Sequence, residues 1–375
     1  TEIFTTRYKV AKADLPAGTY RNVVGNYALS MGLAAAAERS KLGLFYGGYP
    51  ITPASDILHT LSAWKHLGIK TFQAEDEIAG ITSVLGAAFT GDLGITATSG
   101  PGIALKGEAM GLAVMAELPI VIINVQRGGP STGLPTKTEQ SDLMQAMYGR
   151  NGEAPVPVLA SSTPGDCFFA AYEACRIAVK YMTPVILLTD GYLANGSEPW
   201  QVPKVADLPD FDVSFADESN LADGQFLSYS RDKKTLARPW AIPGTPGLEH
   251  RIGGIETEDL TGNVSYDPDN HHYMVETRAK KVEAITNEIG PSEIFGNKSG
   301  ELLILSWGGT KGACRSATEA LKADGKKVSH LHLRWINPFP KDLGEKLIKF
   351  KHILIPEINY GQLIKIIRAE FLVDA

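Results

Sequence analysis

Between Asn22 and about Glu198, short runs of β-branched and apolar residues recur, each followed by Gly, Pro or Ser/Thr and then by a longer stretch rich in small residues. Runs of that kind read as strands buried on both faces, and parallel strands need crossover helices between them. The segment is therefore restricted to a doubly wound α/β domain, with strands predicted at Leu44–Tyr46, Thr71–Ala74, Ile95–Thr98, Ile120–Val125, Val158–Ala160 and Val185–Thr189. From Pro199 to about Asn270 the alternation gives way to Pro, Gly, Asp and Ser. A structureless loop of that length is unusual unless functional, so an ordered excursion or linker over the surface is predicted. Tyr273–Ile289 reads as a helix. After Gly300 the alternation resumes: strands at Leu302–Leu305, Val328–Leu333 and Ile353–Pro356, helices at Thr310–Leu321, Leu343–Lys349 and Leu363–Leu372. This is a second, smaller α/β unit. The predicted division is 1–21 as an N-terminal extension, 22–200 and 291–375 as the two domains, and 201–290 as the excursion with its helix.

At 375 residues, a large domain plus a smaller one is the expected organisation. The content is 44% hydrophobic and 21% charged, that of an ordinary packed protein. A net charge of -6 without a long Lys/Arg run argues against a surface that neutralises nucleic-acid phosphates. The three cysteines, Cys167, Cys175 and Cys314, have no CxxC spacing. They fit a reducing compartment, and an iron–sulfur cluster usually takes four ligands. The N-terminus lacks a signal pattern, and the longest apolar stretch, Leu118–Val125, is too short to span a bilayer, so a cytoplasmic protein is expected.

Ligands of open parallel sheets gather beyond the carboxyl ends of the strands. Four strand tips of the first domain are chemically unusual. After the first comes Gly47-Gly48-Tyr49-Pro50-Ile51-Thr52-Pro53, which alone reads as a helix start with Thr52 as N-cap and Pro53 behind it. After the second comes Glu75-Asp76-Glu77, acids that a helix dipole favours in its first turn. Glu75 is the acid best placed for a buried crevice, where a raised pKa would let it share a proton with a ring nitrogen, as the activation of thiamine requires. After the third, Thr98-Ser99-Gly100-Pro101-Gly102 forms a turn in which backbone can approach a ligand, and a plain strand-to-helix turn explains it equally well. After the fourth, Arg127 leaves the strand tip with no acid in its loop until Glu139, which makes it a carboxylate-binding candidate.

Together these motifs resemble the α subunits of the 2-oxoacid:ferredoxin oxidoreductases, most of all the 2-oxoglutarate branch. The matching text is Gly25-Asn26 with Ala28, Tyr49 to Pro53, Glu75 to Ala79, Thr98 to Gly102, Gln126-Arg127 through Pro135-Thr136, Thr189-Asp190, and Arg334 to Pro340. The resemblance implies a pyrimidine-type thiamine-diphosphate-binding domain followed by a transketolase C-terminal-like domain. It implies that Pro50, Ile51, Thr52, Ser99 and Gly100 line the cofactor, that Thr52, Arg127 and Thr136 meet the 2-oxoacid, and that Glu75 activates the cofactor, with Glu77 its rival. Tyr27 stands where relatives often carry Glu. Some relatives carry an additional γ domain ahead of this point; this chain is expected to lack it, and its ends are expected to fall short of the full assembly.

The Gly-Asp-Gly motif that holds the diphosphate and Mg²⁺ of thiamine enzymes has no match: Asp190-Gly191 lacks the leading Gly. The resemblance therefore implies a β subunit carrying diphosphate, Mg²⁺ and a [4Fe-4S] cluster, in an (αβ)2 assembly that passes electrons to ferredoxin with coenzyme A as cosubstrate. Carbon-fixing operation in reverse is open, as are a pyruvate or branched-chain substrate and a purely assembly-supporting role. The adjacent His271-His272 pair reads as solvated loop residues, and no metal site is expected on this chain.

Overall fold

The computed structural model describes Lys9 and residues 11–375. In chain order its elements are β1 (Tyr20–Val24), α1 (Gly25–Ser40), β2 (Leu44–Gly48), α2 (Ser55–Ala63), β3 (Lys70–Gln73), α3 (Glu77–Phe89), β4 (Leu93–Thr98), α4 (Gly100–Leu105), α5 (Gly107–Ala116), β5 (Ile120–Gln126), α6 (Leu143–Tyr148) and β6 (Val158–Ala160). There follow α7 (Asp166–Tyr181), β7 (Val185–Asp190), α8 (Gly191–Asn195), β8 (Ser197–Gln201), β9 (Leu221–Ala222), β10 (Gln225–Phe226), α9 (Pro268–Ala284) and β11 (Ile294–Phe295). The chain closes with β12 (Gly300–Trp307), α10 (Lys311–Ala323), β13 (Val328–Leu333), β14 (Trp335–Asn337), α11 (Leu343–Leu347), β15 (Phe350–Leu354) and α12 (Gln362–Phe371).

Six parallel strands in the order β6-β7-β5-β4-β2-β3 form the large sheet, and β14 adds antiparallel to β6 at one edge. Every residue of β4, β5 and β7 is buried, which explains why these strands read as unbroken apolar runs. One face packs against α1 and α7, and the other shares a core with α3, α5 and the second unit. The doubly wound architecture predicted for the first domain is thus present, and every predicted strand is found within a residue or two. The second unit has the strand order β11-β13-β12-β15, parallel except for β11.

Two strand pairings departed from expectation. The antiparallel pair β1–β8 was not foreseen, because one partner reads Ser-Glu-Pro-Trp-Gln and the pair alternates poorly. Strand β14, from within residues 291–375, pairs with the sheet of the first domain, so the two units share a strand across the predicted division. The excursion is ordered, as expected, and held by specific contacts to the first domain. Trp240 donates its indole N–H to the Ala88 carbonyl at 3.0 Å, and Arg238 donates to the Ala116 carbonyl at 3.0 Å. Glu117 accepts from both Arg231 terminal nitrogens at 2.5 and 2.6 Å and from Lys281 of α9. Burial pushes the Glu117 carboxyl up, but Lys281 and Arg231 outweigh it and hold the group down at about 2. Helix α9 starts at Pro268, ahead of the predicted Tyr273, because Asp267 caps it by accepting from the Asn270 N–H at 2.7 Å.

Candidate active site

Four strand tips, those of β2, β3, β4 and β5, converge at the carboxyl edge of the large sheet. Beyond β2, the segment Tyr49–Pro53 is held from below by Asn26 at the start of α1, whose amide donates to the Pro53 carbonyl at 2.8 Å. Asn26 can reach because Gly25 lies against α8, where a Cβ would sit 2.1 Å from the Leu193 carbonyl oxygen. Helix α2 begins at Ser55, not at Pro53, and its N-cap is Ala54. Thr52 is consequently not a cap. Its side chain is exposed, and its carbonyl accepts from Arg127 Nη1 at 2.6 Å.

Arg127 is only 5% exposed, and among the described residues it forms no ion pair. Its sole acidic loop neighbour, Glu139, is occupied by the Ser141 hydroxyl at 2.9 Å and the Gly129 N–H at 3.3 Å. Arg127 Nε is buried without a hydrogen-bond partner. A guanidinium with unused donors at a cavity wall is fit to take a carboxylate. It lines a cavity of about 650 Å³ together with Gly100, Pro130, Ser141 and Asp142. Thr52 and Thr136 line a neighbouring cavity of about 500 Å³ with Asp56 and Asn195. The Arg127–Thr52 hydrogen bond makes the two cavities neighbours: Arg127 lines one, and Thr52 and Thr136 line the other.

At the β3 tip the three acids separate by role. Asp76 is the N-cap of α3, accepting from the Ala79 N–H at 2.8 Å, and Glu77 occupies the first turn. Both are absorbed by the helix terminus, as the dipole argument anticipates. Glu75 is left over. The expected burial of Glu75 is not met within this chain: the residue is exposed, because β3 is the edge strand of the sheet and no further strand lies beyond it. Glu77 is half-buried against the Tyr49 side, where the Tyr49 hydroxyl lies 2.7 Å from the Thr98 hydroxyl. Gly102 packs into the same corner, where a Cβ would meet the Thr98 hydroxyl at 2.0 Å and the Tyr49 hydroxyl at 2.2 Å.

Ser99 is fully buried, and its hydroxyl has no hydrogen-bond partner, so only its neighbour Gly100 reaches the Arg127 cavity. Asp142, absent from the expectations, joins that cavity. Its carboxylate accepts from Asn124 at 3.0 Å, its N–H donates to Gln126 at 3.1 Å, and burial pushes its carboxyl up. Lys106, also unforeseen, reaches the Glu77 carbonyl at 2.8 Å from the junction of α4 and α5. One signal could have found it: it is the only basic residue in the small and apolar stretch from Gly100 to Ala116.

Asp190 behaves as its sequence context suggested. One carboxylate oxygen caps α8, accepting from the Tyr192 and Leu193 N–H groups at 2.9 Å, and burial lifts the group to about 6. Its other carboxylate oxygen is buried without a hydrogen-bond partner. His271 and His272 are exposed and pair with Glu256 at 2.6 Å and Glu276 at 3.3 Å. Cys167, Cys175 and Cys314 are buried free thiols. Tyr27 packs edge-on to Trp64 with 5.4 Å between ring centroids, under the Arg21 guanidinium. Among the described residues, no helix is long and apolar enough to cross a membrane.

A doubly wound parallel sheet thus presents Arg127, Thr52 and the exposed Glu75 at its carboxyl edge. Residues 39–266 match the family described as pyruvate flavodoxin/ferredoxin oxidoreductase, thiamine diphosphate-binding, and residues 300–373 match pyruvate:ferredoxin oxidoreductase core domain II. The chain belongs to the 2-oxoacid:ferredoxin oxidoreductase α-subunit family. It is 53% identical over its whole length to the 2-oxoglutarate oxidoreductase subunit KorA of Mycobacterium tuberculosis, covering 56% of that protein. It is 34% identical over 86% of its length to the 2-oxoglutarate synthase subunit KorA of Archaeoglobus fulgidus, covering 84% of that protein. The chain thus spans little more than half the length of some curated relatives. A solved 2-oxoglutarate:ferredoxin oxidoreductase from Magnetococcus marinus, with 2-oxoglutarate, coenzyme A and succinyl-CoA bound, superposes with a TM-score of 0.90 at 36% identity, over 98% of this chain and 64% of that one. A Campylobacter jejuni transketolase, at 13% identity and a TM-score of 0.50 over 93% of this chain and 42% of that one, shares the fold alone.

Proposed function

We propose that this chain is the subunit of a thiamine-diphosphate-dependent 2-oxoacid:ferredoxin oxidoreductase that covers the cofactor's aminopyrimidine, acting with a partner chain on 2-oxoglutarate and coenzyme A. The observation that carries the proposal is the division of labour at the β3 tip: two of three consecutive acids are taken by the helix start, and Glu75 projects unpaired from the sheet edge. An exposed acid has an ordinary environment until a second surface covers it; closure would desolvate it against a ring nitrogen. Flanking exposed apolar residues favour such closure: Phe72 is 45% exposed, Ile78 52% and Leu105 54%.

When bound, thiamine diphosphate supplies the carbon nucleophile and electron sink for decarboxylation. Glu75 would hold a proton at the pyrimidine ring nitrogen, and Glu77, engaged with the Tyr49 corner, is the weaker candidate. Arg127 would bind the 2-oxoacid carboxylate through its unused donors, with Thr52 and Thr136 bordering the neighbouring cavity. The backbone of Pro50, Ile51 and Gly100 would form the adjoining wall. The chain's strand-tip residues would meet the pyrimidine end of the cofactor, and its sequence has no Gly-Asp-Gly motif for the charged tail. A β subunit would hold the diphosphate, Mg²⁺ and a [4Fe-4S] cluster in an (αβ)2 assembly, with ferredoxin as acceptor, in the cytoplasm.

The lean to 2-oxoglutarate follows relatives named for that substrate, while other relatives are named as general 2-oxoacid enzymes. The test is to co-purify the chain with its partner, quantify thiamine and iron, and measure ferredoxin reduction across 2-oxoacids. The expected outcome is kcat/KM for 2-oxoglutarate exceeding that for pyruvate by at least about tenfold. A preference for pyruvate or a branched-chain acid would move the assignment within the family, and turnover by either chain alone would contradict it.

A further inference from the structure

Lys106 exposes none of its surface, yet its ammonium is placed where the turn carrying Glu75 can be held. Nζ donates to the Glu77 carbonyl at 2.8 Å and lies 5.2 Å from the centroid of the Tyr49 ring. The turn is anchored at its other end by the Ala74 N–H, which donates to the Gly48 carbonyl at 2.7 Å, and in the middle by the Asp76 cap. Groups facing the ammonium are the carboxylates of Glu77 and Asp76 on the α3 terminus and the ring of Tyr49 beyond β2. Neither carboxylate is close enough to form an ion pair, so nothing fully repays the loss of hydration.

Burial therefore pushes Lys106 down from its ordinary 10.5 to about 8, against the pull of Glu77 and Asp76. A lysine lowered in this way binds fewer protons folded than unfolded between those two values. It costs stability below pH 8, and the cost fades as pH rises through that window. A buried group kept at a stability cost is characteristic of a functional site.

We propose that Lys106 is a positioning residue: its buried ammonium clamps the Glu77 carbonyl and with it the Ala74–Glu77 turn, so that Glu75 leaves the β3 tip in one fixed direction. The proposal rests on Glu75 being the acid that meets the cofactor ring, and it adds the residue that aims it. Lys106 does not touch substrate or cofactor.

The test compares the assembled parent enzyme with Lys106→Met, Lys106→Arg and Glu75→Gln. Three readouts are taken: kcat with KM, the near-ultraviolet circular-dichroism band of the bound cofactor's aminopyrimidine, and the thermal midpoint against pH. Lys106→Met is expected to lose at least about tenfold in kcat with KM for the 2-oxoacid within about twofold, and to weaken the band. Its thermal midpoint should equal or exceed the parent's at neutral pH, with the advantage shrinking as pH rises past 8. A kcat that falls only with the folded fraction, or that stays at the parent value, overturns the proposal. If Lys106→Met does not fold, the pH profile decides. The parent's band should weaken as pH rises past about 8, and Lys106→Arg, whose guanidinium stays charged, should carry it to higher pH. A flat parent profile, or an unchanged limb in Lys106→Arg, also overturns it. Glu75→Gln turning over at the parent rate would instead remove the premise, whatever Lys106 does.

Discussion

Arg127 shows how a single side chain can be read correctly from sequence and still carry an unforeseen connection. Its isolation from acids was visible in the spacing to Glu139, and the structure keeps the two apart. Its donation to the Thr52 carbonyl was not visible, because a backbone acceptor leaves no mark on residue identity. Replacing Arg127 by Met removes the positive charge and its bond to the Thr52 loop. A charged hydrogen bond contributes about 1.5–3 kcal/mol, so KM for the 2-oxoacid should rise on the order of tenfold to a hundredfold. Steady-state kinetics with Arg127→Lys as the intermediate case check this: an unchanged KM in Arg127→Met would remove Arg127 from the substrate site. Glu75 gives the opposite lesson. Its place just after a strand was legible, but its exposure was not, since nothing in the sequence marks β3 as the edge of the sheet.

At the scale of elements, the parallel strands were legible because burial on both faces forces continuous Val, Ile and Leu, as in Ile120–Val125. The β1–β8 ribbon and β14 were not, being short and mixed in polarity, so their pairing depends on what they meet in space. The excursion after β8 was foreseen as ordered, but the means of ordering lay in distant partners. Glu117 at the end of α5 gathers Arg231 from the excursion and Lys281 from α9 into one buried cluster. Converting Glu117 to Gln would leave two buried cations without their counter-charge. Removing one partner from such a cluster typically costs 3–5 kcal/mol, so the thermal midpoint should fall by several degrees, on the order of 5 °C or more. Limited proteolysis should then cut first between residues 201 and 267. A midpoint unchanged within error would mean that the apolar contacts of Trp240 and its neighbours hold the excursion by themselves.

For the whole molecule, the pattern of what is present and what is committed elsewhere points to half of an active site. Arg127, Thr52 and Thr136 lie at one edge of the sheet, Glu75 projects beside them into solvent, and one carboxylate oxygen of Asp190 caps α8. The two α/β units share a strand, so that edge is presented by one continuous body of sheet and core. The central claim is that Glu75 becomes the cofactor-activating acid once a partner covers the edge. Turnover of the assembled enzyme carrying Glu75→Gln tests it most directly, measured with the thermal midpoint as a control. Glu75 is exposed in the single chain, so the isolated chain's midpoint should not move, while loss of a positioned proton-transfer group should lower kcat of the assembled enzyme by roughly 100- to 10,000-fold. A Glu75→Gln enzyme that folds, assembles, binds thiamine diphosphate and reduces ferredoxin at the parent rate would contradict the account.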